Sequence, residues 1–85
     1  MSQISDSLAA YIAKEILKQP KRVISPSEKL ISSGLVDSFN LVDLGLFIED
    51  KFGVRIDDTE LNAETFDTLE ELESLIVGRG GGYGR

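Results

Sequence analysis

The residue of this chain best suited to chemistry is Ser38, which follows Asp37 directly. The run from Ser38 to Phe52 contains no proline and predicts a helix, and the Asp37 carboxylate is a good N-cap for it. The Ser38 hydroxyl would then lie at the positive end of the helix dipole without being needed as a cap. A serine at a helix start is usually only a cap or a solvated residue. An anionic ester of this hydroxyl would, however, face free backbone amides.

The composition argues against most catalytic and metal chemistry. The chain has no cysteine and no histidine, which removes disulfides, thiolate metal sites and nucleophilic or acid–base systems built on these residues. Asp57, Asp58 and Glu60 lie close together, but the alternation and the glycine of a calcium-binding loop are missing. We therefore expect no catalytic residue and no metal site, and an enzyme is the least favoured class.

The predicted helix over residues 38–52, called helix II here, has two apolar stripes. At 100° per residue the core-facing stripe consists of Leu41, Leu44, Ile48 and Phe52. A second stripe lies well over 100° away and is bordered by acids; it consists of Phe39, Val42 and Leu46, with Asp43, Glu49 and Asp50 beside it. A small domain needs only one apolar face on a surface helix, so the second stripe predicts a docking surface for a partner.

The segment 34–39, Gly-Leu-Val-Asp-Ser-Phe, resembles the modification site of acyl carrier proteins and of aminoacyl or peptidyl carrier domains. The resemblance covers about residues 5–77 and includes the spacing from this segment to residues 54–56 and to a capped terminal helix. It implies an all-α four-helix bundle with three longer helices, a short helix III and a long loop between helices I and II. It also implies that Ser38 carries a 4′-phosphopantetheine arm from coenzyme A, whose thiol holds acyl or aminoacyl groups as thioesters.

The same resemblance implies roles for the residues around Ser38. Asp37 would assist transfer of the arm through Mg²⁺ held by a phosphopantetheinyl transferase. The second stripe and its acids would dock on this transferase and on basic surfaces of the loading ligases or synthases; the implied partner-binding residues are Phe39, Val42, Asp43, Leu46, Glu49 and Asp50. Phe39 and the stretch 62–68 resemble aminoacyl and specialised carriers more than housekeeping fatty-acid carriers, which favours a specialised pathway.

The charges are unevenly distributed along the chain. Twelve of the fifteen acidic residues lie between residues 37 and 77, where Lys51 and Arg55 are the cations. This acidic half argues against nucleic acid and for basic protein surfaces as partners. No apolar run is long enough to cross a membrane, and no signal-peptide hydrophobic region is evident. We therefore expect a monomeric cytoplasmic protein with no membrane partner.

The first half of the chain is predicted to be scaffold. Helix I covers residues 5–18, with Ser5 or Asp6 as its cap, and Pro20 stops it. Residues 19–37 form a loop that is unusually long for a small domain, so it must pack or function. The apolar residues expected to attach this loop to the helices are Val23, Ile24, Leu30, Ile31 and Leu35.

The second half begins with Gly53, which is predicted to end helix II. A short helix III is expected around residues 59–62, capped by Asp57 or Asp58, and helix IV ends near Val77. Its predicted start is a capping box of Thr68 and Glu71, and Phe66 before it is expected to anchor in the core. The chain thus divides into a carrier domain, residues 1–77, and a disordered Gly/Arg tail, residues 78–85.

Two residues of helix II do not fit the pattern. Gly45 faces the core stripe, where it indicates either close packing of a neighbouring segment, which we favour, or room for a bound cargo. Phe47 lies on the polar side and is predicted either to be covered by the long loop or to extend the partner surface.

Two alternatives to a carrier remain open. An unmodified helical adaptor would dock through helix II and tolerate Ser38→Ala. A small RNA-associated protein would use its Gly/Arg tail, and its binding would depend strongly on salt.

Overall fold

The computed structural model describes residues 3–81 and folds them into three α-helices joined by irregular segments. The helical elements in chain order are α1 (Gln3–Tyr11), a π-helical segment (Ile12–Ile16), α2 (Ser38–Phe52), a 3-10 turn (Asp58–Glu60) and α3 (Leu69–Gly78). No strand occurs in this described part of the chain, and the prediction of an all-α fold is confirmed.

One hydrophobic core lies between the three helices. The predicted stripe of α2 is buried, with Leu41 the most exposed of its four residues at 4%. Leu8 of α1 and Leu72 of α3 are completely buried against it. Because each helix contributes one apolar stripe, the side of α2 that bears the second stripe is left facing outward.

The first helix differs from its prediction at both ends. It already includes Gln3, so Ser5 and Asp6 lie inside it and are not its cap. Ser5 is instead buried, and its hydroxyl donates to the Glu73 carboxylate of α3. The helix widens into the π-helical segment and ends at Ile16, before Lys18, which has a positive φ of 57°.

The long loop is attached to the core as predicted, with one exception. Leu30 and Ile24 are buried, and Ile31 and Leu35 pack partly buried against the same cluster. Val23 was expected to join them, but its side chain is 88% exposed, so this prediction was wrong. Its neighbour Ile24 supplies the buried contact at this point of the loop.

The segment after α2 agrees closely with the structure predicted for it. Gly53 ends α2 in the left-handed region at a φ of 72°. Val54 and Ile56 are buried on either side of exposed Arg55, as the predicted alternation requires. The position expected for helix III is occupied by the single 3-10 turn, with the Asp57 amide donating to Glu60 Oε1 at 3.1 Å.

Only one of the two hydrogen bonds of the predicted capping box is present at the start of α3. Thr68 Oγ1 accepts from the Glu71 amide at 3.1 Å. The Glu71 carboxylate accepts from the amide of Asp67, one residue before the cap, at 2.7 Å. Phe66, predicted to anchor this region, is 1% exposed.

The two unusual residues of α2 both pack within the chain. Phe47 stacks on Tyr11 of α1 with ring centroids 4.1 Å apart, so α1 and not the long loop covers it. Gly45 is buried beside Leu61, and a β-carbon built on it would lie 3.7 Å from Leu61 Cδ2. This supports the packing interpretation of Gly45.

The beginning of the predicted tail is in contact with the domain. The Arg79 guanidinium pairs with the Glu60 carboxylate and donates to the Arg55 carbonyl oxygen at 3.2 Å. Gly81 lies against the side chains of Val54 and Ile76. Residues 82–85, the rest of that predicted tail, lie outside the described residues.

Candidate functional site

The start of α2 leaves the Ser38 hydroxyl exposed. Asp37 adopts an extended conformation as N-cap, and its Oδ1 accepts from the Asn40 amide at 2.9 Å. The Asp37 carbonyl oxygen accepts from Leu41, the first α-helical hydrogen bond, at 3.0 Å. Within the part of the chain that the structure describes, the Ser38 hydroxyl makes no hydrogen bond. It is therefore open to a reagent at the positive end of the helix dipole.

The outward side of α2, called the outer face here, presents large apolar side chains to solvent. Phe39 is 84% exposed, Leu46 61% and Val42 48%. The flanking acids Asp43, Glu49 and Asp50 are exposed on the same half of the helix. The structure thus brings all the predicted partner-binding residues together beside Ser38. An apolar patch with an acidic rim suits a partner with an apolar centre and basic edges.

A shallow depression extends the outer face toward the 3-10 turn. It has a volume of about 160 Å³ and shares Val42, Leu46 and Glu49 with the outer face. Arg55 and Leu61 are among the residues on its far side. The patch on α2 is therefore continued by a second segment of the chain.

The loop that leads to Ser38 is held by Asp67, a residue that the sequence analysis did not single out. The Asp67 carboxylate accepts from the Ile31 amide at 2.7 Å and from the Ser32 amide at 2.9 Å, both at Oδ1. Its Oδ2 accepts from the Ser32 hydroxyl at 2.6 Å. The hydrogen bond from the Ser32 side chain is the main reason that the pKa of the Asp67 carboxyl lies below its ordinary value. The sequence signals for this contact are weak: an aspartate next to a predicted helix cap, and a Ser-Ser-Gly turn whose backbone amides need a partner.

Glu60, an acidic residue of the 3-10 turn, is engaged in an ion pair with Arg79. Arg79 donates from Nη1 to Glu60 Oε1 at 2.9 Å and also bonds Oε2, so the pair is bidentate. The Arg79 hydrogen bond lowers the pKa of the Glu60 carboxyl from 4.5 to about 2. Among residues 3–81 no group of three or more acidic side chains is placed to hold a metal ion.

No helix among the described residues is both long and apolar enough to span a membrane.

Comparison with known proteins gives a consistent result. Residues 6–76 match the family model described as "Phosphopantetheine attachment site". The chain is 34% identical to an acyl carrier protein of Thermobifida fusca over 87% of its own length and 90% of the relative. It is 29% identical to a D-alanyl carrier protein of Bacillus velezensis, over 88% of this chain and 90% of that protein. It is 32% identical to aminoacyl carrier protein 1 of Bradyrhizobium diazoefficiens, over 78% and 74% respectively. No solved structure gives a significant match.

Proposed function

This chain belongs to the family of acyl and aminoacyl carrier proteins that bear covalent 4′-phosphopantetheine, and we propose that Ser38 is the residue that carries the group. The observation that carries the proposal is the exposed Ser38 hydroxyl, which is not used as a cap because Asp37 already fills that role. When bound, phosphopantetheine supplies a thiol that holds an acyl group as a thioester.

The local geometry fits a phosphodiester at this serine. The first-turn amides of α2 not capped by Asp37 point toward the hydroxyl's end of the helix, where a negative phosphate is favoured. The exposed position leaves room for the arm to leave the surface. Carrier proteins of this family do not catalyse the reactions of their cargo, so the task of Ser38 and its neighbours is presentation.

Asp37 would take part during loading through a divalent cation. Its Oδ1 is engaged by the Asn40 amide, which leaves Oδ2 to face a cation. Carboxylate oxygen is a preferred ligand of Mg²⁺, and the cation would offset the repulsion between Asp37 and the incoming phosphate. The phosphopantetheinyl transferase would hold that cation.

The outer face of α2 would dock on the enzymes that load and use the carrier. Phe39, Val42 and Leu46 would supply the apolar contact, and Asp43, Glu49 and Asp50 would meet basic residues at its rim. Rim charges mainly raise the association rate and make it salt-dependent. The partners would be a phosphopantetheinyl transferase and acyl- or aminoacyl-loading ligases or synthases with basic surfaces.

An acyl or aminoacyl cargo is supported by the relatives, which are named as carriers of D-alanyl, acyl and aminoacyl groups. We propose thioester delivery in a specialised pathway, by a monomer in the cytoplasm. The 3-10 turn Asp58–Glu60 would be the counterpart of helix III in a four-helix bundle. We also propose a carrier domain over residues 1–77 followed by a Gly/Arg tail, 78–85, whose first residues up to Gly81 pack on the domain.

Intact mass after incubation with coenzyme A, Mg²⁺ and a broad-specificity phosphopantetheinyl transferase tests the proposal. We expect the wild-type chain to gain the mass of one phosphopantetheine and Ser38→Ala to gain none. Ser74→Ala, a change at an exposed serine of α3, is the matched control and should be loaded like the wild type.

The second candidate, an unmodified adaptor, is favoured by the exposed apolar outer face alone. Failure of several transferases to load a chain shown to be folded would support it. Partner binding would then survive Ser38→Ala and be lost when Phe39 and Leu46 are changed to serine.

A further inference from the structure

The segment 30–36 is a closed loop whose two ends are tied to each other, and its first residue is also tied to Asp67, two residues before α3. The Val36 amide donates to the Leu30 carbonyl oxygen at 2.9 Å, and the Leu30 amide donates to the Asp67 carbonyl oxygen at 2.6 Å. Between them the chain reverses at Gly34, which has a φ of 83° and donates to Ile31 at 3.0 Å. Leu30 therefore links Asp67 directly to Val36, two residues before Ser38.

The Asp67 carboxylate satisfies the amides at the turn of this loop. The Ile31 and Ser32 amides are directed at Oδ1 and the Ser32 hydroxyl at Oδ2, although Ser32 and Asp67 are 35 residues apart. Asp67 is only 7% exposed, so water has little access to replace it. Both amide hydrogen bonds are partly buried, and a single side chain supplies the acceptor for the amides of two consecutive residues.

We infer that Asp67 is a positioning residue for Ser38, because its carboxylate holds the loop that leads the chain into α2. Ser38 is bounded on one side by the cap of Asp37 on Asn40 and on the other by buried Val36, whose amide is tied to Leu30. Only Asp37 separates Val36 from the serine. Releasing the loop frees the peptide that precedes the cap, and Ser38 then samples several positions in place of one. The inference rests on the proposed role of Ser38.

The charge of the Asp67 carboxylate is the property to test, because a charge-assisted hydrogen bond is stronger than a neutral one. Asp67→Asn retains one acceptor oxygen for the two amides, but its NH2 group can only donate to the Ser32 hydroxyl oxygen. The variant therefore keeps the volume of the side chain and replaces the charge-assisted hydrogen bond at Oδ2 with a weaker, reversed one. Ser32→Ala removes the same contact from the loop side and leaves Asp67 buried with its two amide donors.

The test measures both loading and the local environment of the serine. For wild type, Asp67→Asn and Ser32→Ala we would determine kcat and KM for phosphopantetheine transfer, and the ¹⁵N–¹H chemical shifts and exchange rates of the Ser38 and Phe39 amides before loading. The control is Ile76→Val, which trims a buried side chain in the last turns of α3 and lowers stability without touching the loop. All assays are run where each variant is fully folded.

We expect Asp67→Asn to lower kcat/KM for loading by about tenfold, since small displacements of a reacting group have effects of this size. The Ser38 amide should shift and exchange faster in the same variant, and Ile76→Val should match the wild type in both measurements. Ser32→Ala should show the same changes to a smaller degree, and it carries the test if Asp67→Asn does not fold.

A folded Asp67→Asn or Ser32→Ala with wild-type kcat/KM and unchanged Ser38 and Phe39 amides would overturn the inference. If no transferase loads even the wild-type chain, the proposed function fails, but the amide measurements still decide whether Asp67 positions Ser38. The two failures are thus distinguishable.

Discussion

The loop that precedes Ser38 and the helix that follows it reach order in opposite ways. Residues 26–36 have no regular structure, yet Pro26, Leu30, Ile31 and Ser32 all hydrogen bond to residues 67–70. Helix α2 is regular for its whole length, but Phe39 and Leu46 on its outer face are mostly exposed. The irregular segment is closed by contacts inside the molecule, and the regular one leaves an apolar surface exposed to solvent.

This difference separates positioning from recognition. The loop sets where Ser38 lies, and its residues should contribute to the free energy of unfolding. In the proposed function the outer face selects the protein that approaches Ser38, so its residues should contribute to association while adding little to stability. Substitutions in the two regions should therefore differ in which measurement they change.

The largest expected difference in stability is between alanine variants of two leucines, one in the loop and one on the outer face. Leu30→Ala should lower the free energy of unfolding by about 2–5 kcal/mol, because Leu30 is completely buried and its loss leaves a cavity. Leu46→Ala should change it by less than about 0.5 kcal/mol, because that side chain is 61% exposed. Urea unfolding followed by circular dichroism measures both. Equal losses for the two variants would show that the outer face is covered within the molecule, like the loop.

Replacing two glycines by alanine should change the free energy of unfolding by smaller amounts, and the two changes should have opposite signs. Gly34→Ala should destabilise by about 1 kcal/mol, because a φ of 83° is strained for any residue with a β-carbon. Gly45→Ala should stabilise by up to about 1 kcal/mol, since alanine favours the helix and its β-carbon would make an ordinary contact with Leu61. Thermal unfolding of both variants would check this. A destabilised Gly45→Ala would mean that the space beside Leu61 is needed for another purpose.

The smallest effect on stability is expected from reversing charges on the outer face. Asp43→Lys combined with Glu49→Lys should leave the free energy of unfolding within about 0.5 kcal/mol of wild type, since both side chains are exposed. The same variant should be loaded about tenfold more slowly at low salt, with a smaller difference at high salt. Initial rates of phosphopantetheine transfer at two salt concentrations measure this.

The control for that experiment is Glu15→Lys combined with Glu64→Lys, which changes the net charge equally at exposed positions away from the outer face. It should be loaded at nearly the wild-type rate. Equal slowing in both variants would assign the effect to overall charge and not to the rim of the outer face.

The features that the sequence predicted well are local ones. Asp37 as cap, Gly53 as terminator and the buried stripe from Leu41 to Phe52 all depend on residues within a few positions of one another. The exposure of the second stripe could also be predicted, because a surface helix in a small domain cannot bury two widely separated faces.

The features that the sequence did not reveal depend on distant partners. Asp67 with Ser32, Phe47 with Tyr11 and Arg79 with Glu60 pair residues from separate segments, and no periodicity marks them. The cap predicted at Ser5 failed for the same reason, since its hydroxyl bonds to Glu73 of α3. Side chains with several possible partners are assigned only when the elements are packed together.

The contacts that residues after α3 make with the domain determine where another protein can be fused to this chain. A chain cut after Val77 would lose the Arg79 ion pair with Glu60 and the backbone seated against Val54. Any side chain at Gly81 would collide with Val54 and lie 2.8 Å from Ile76 Cγ2. A fusion partner, a surface tether or a fluorescent reporter should therefore be joined after Gly81, so that this glycine is kept as the last carrier residue before the junction.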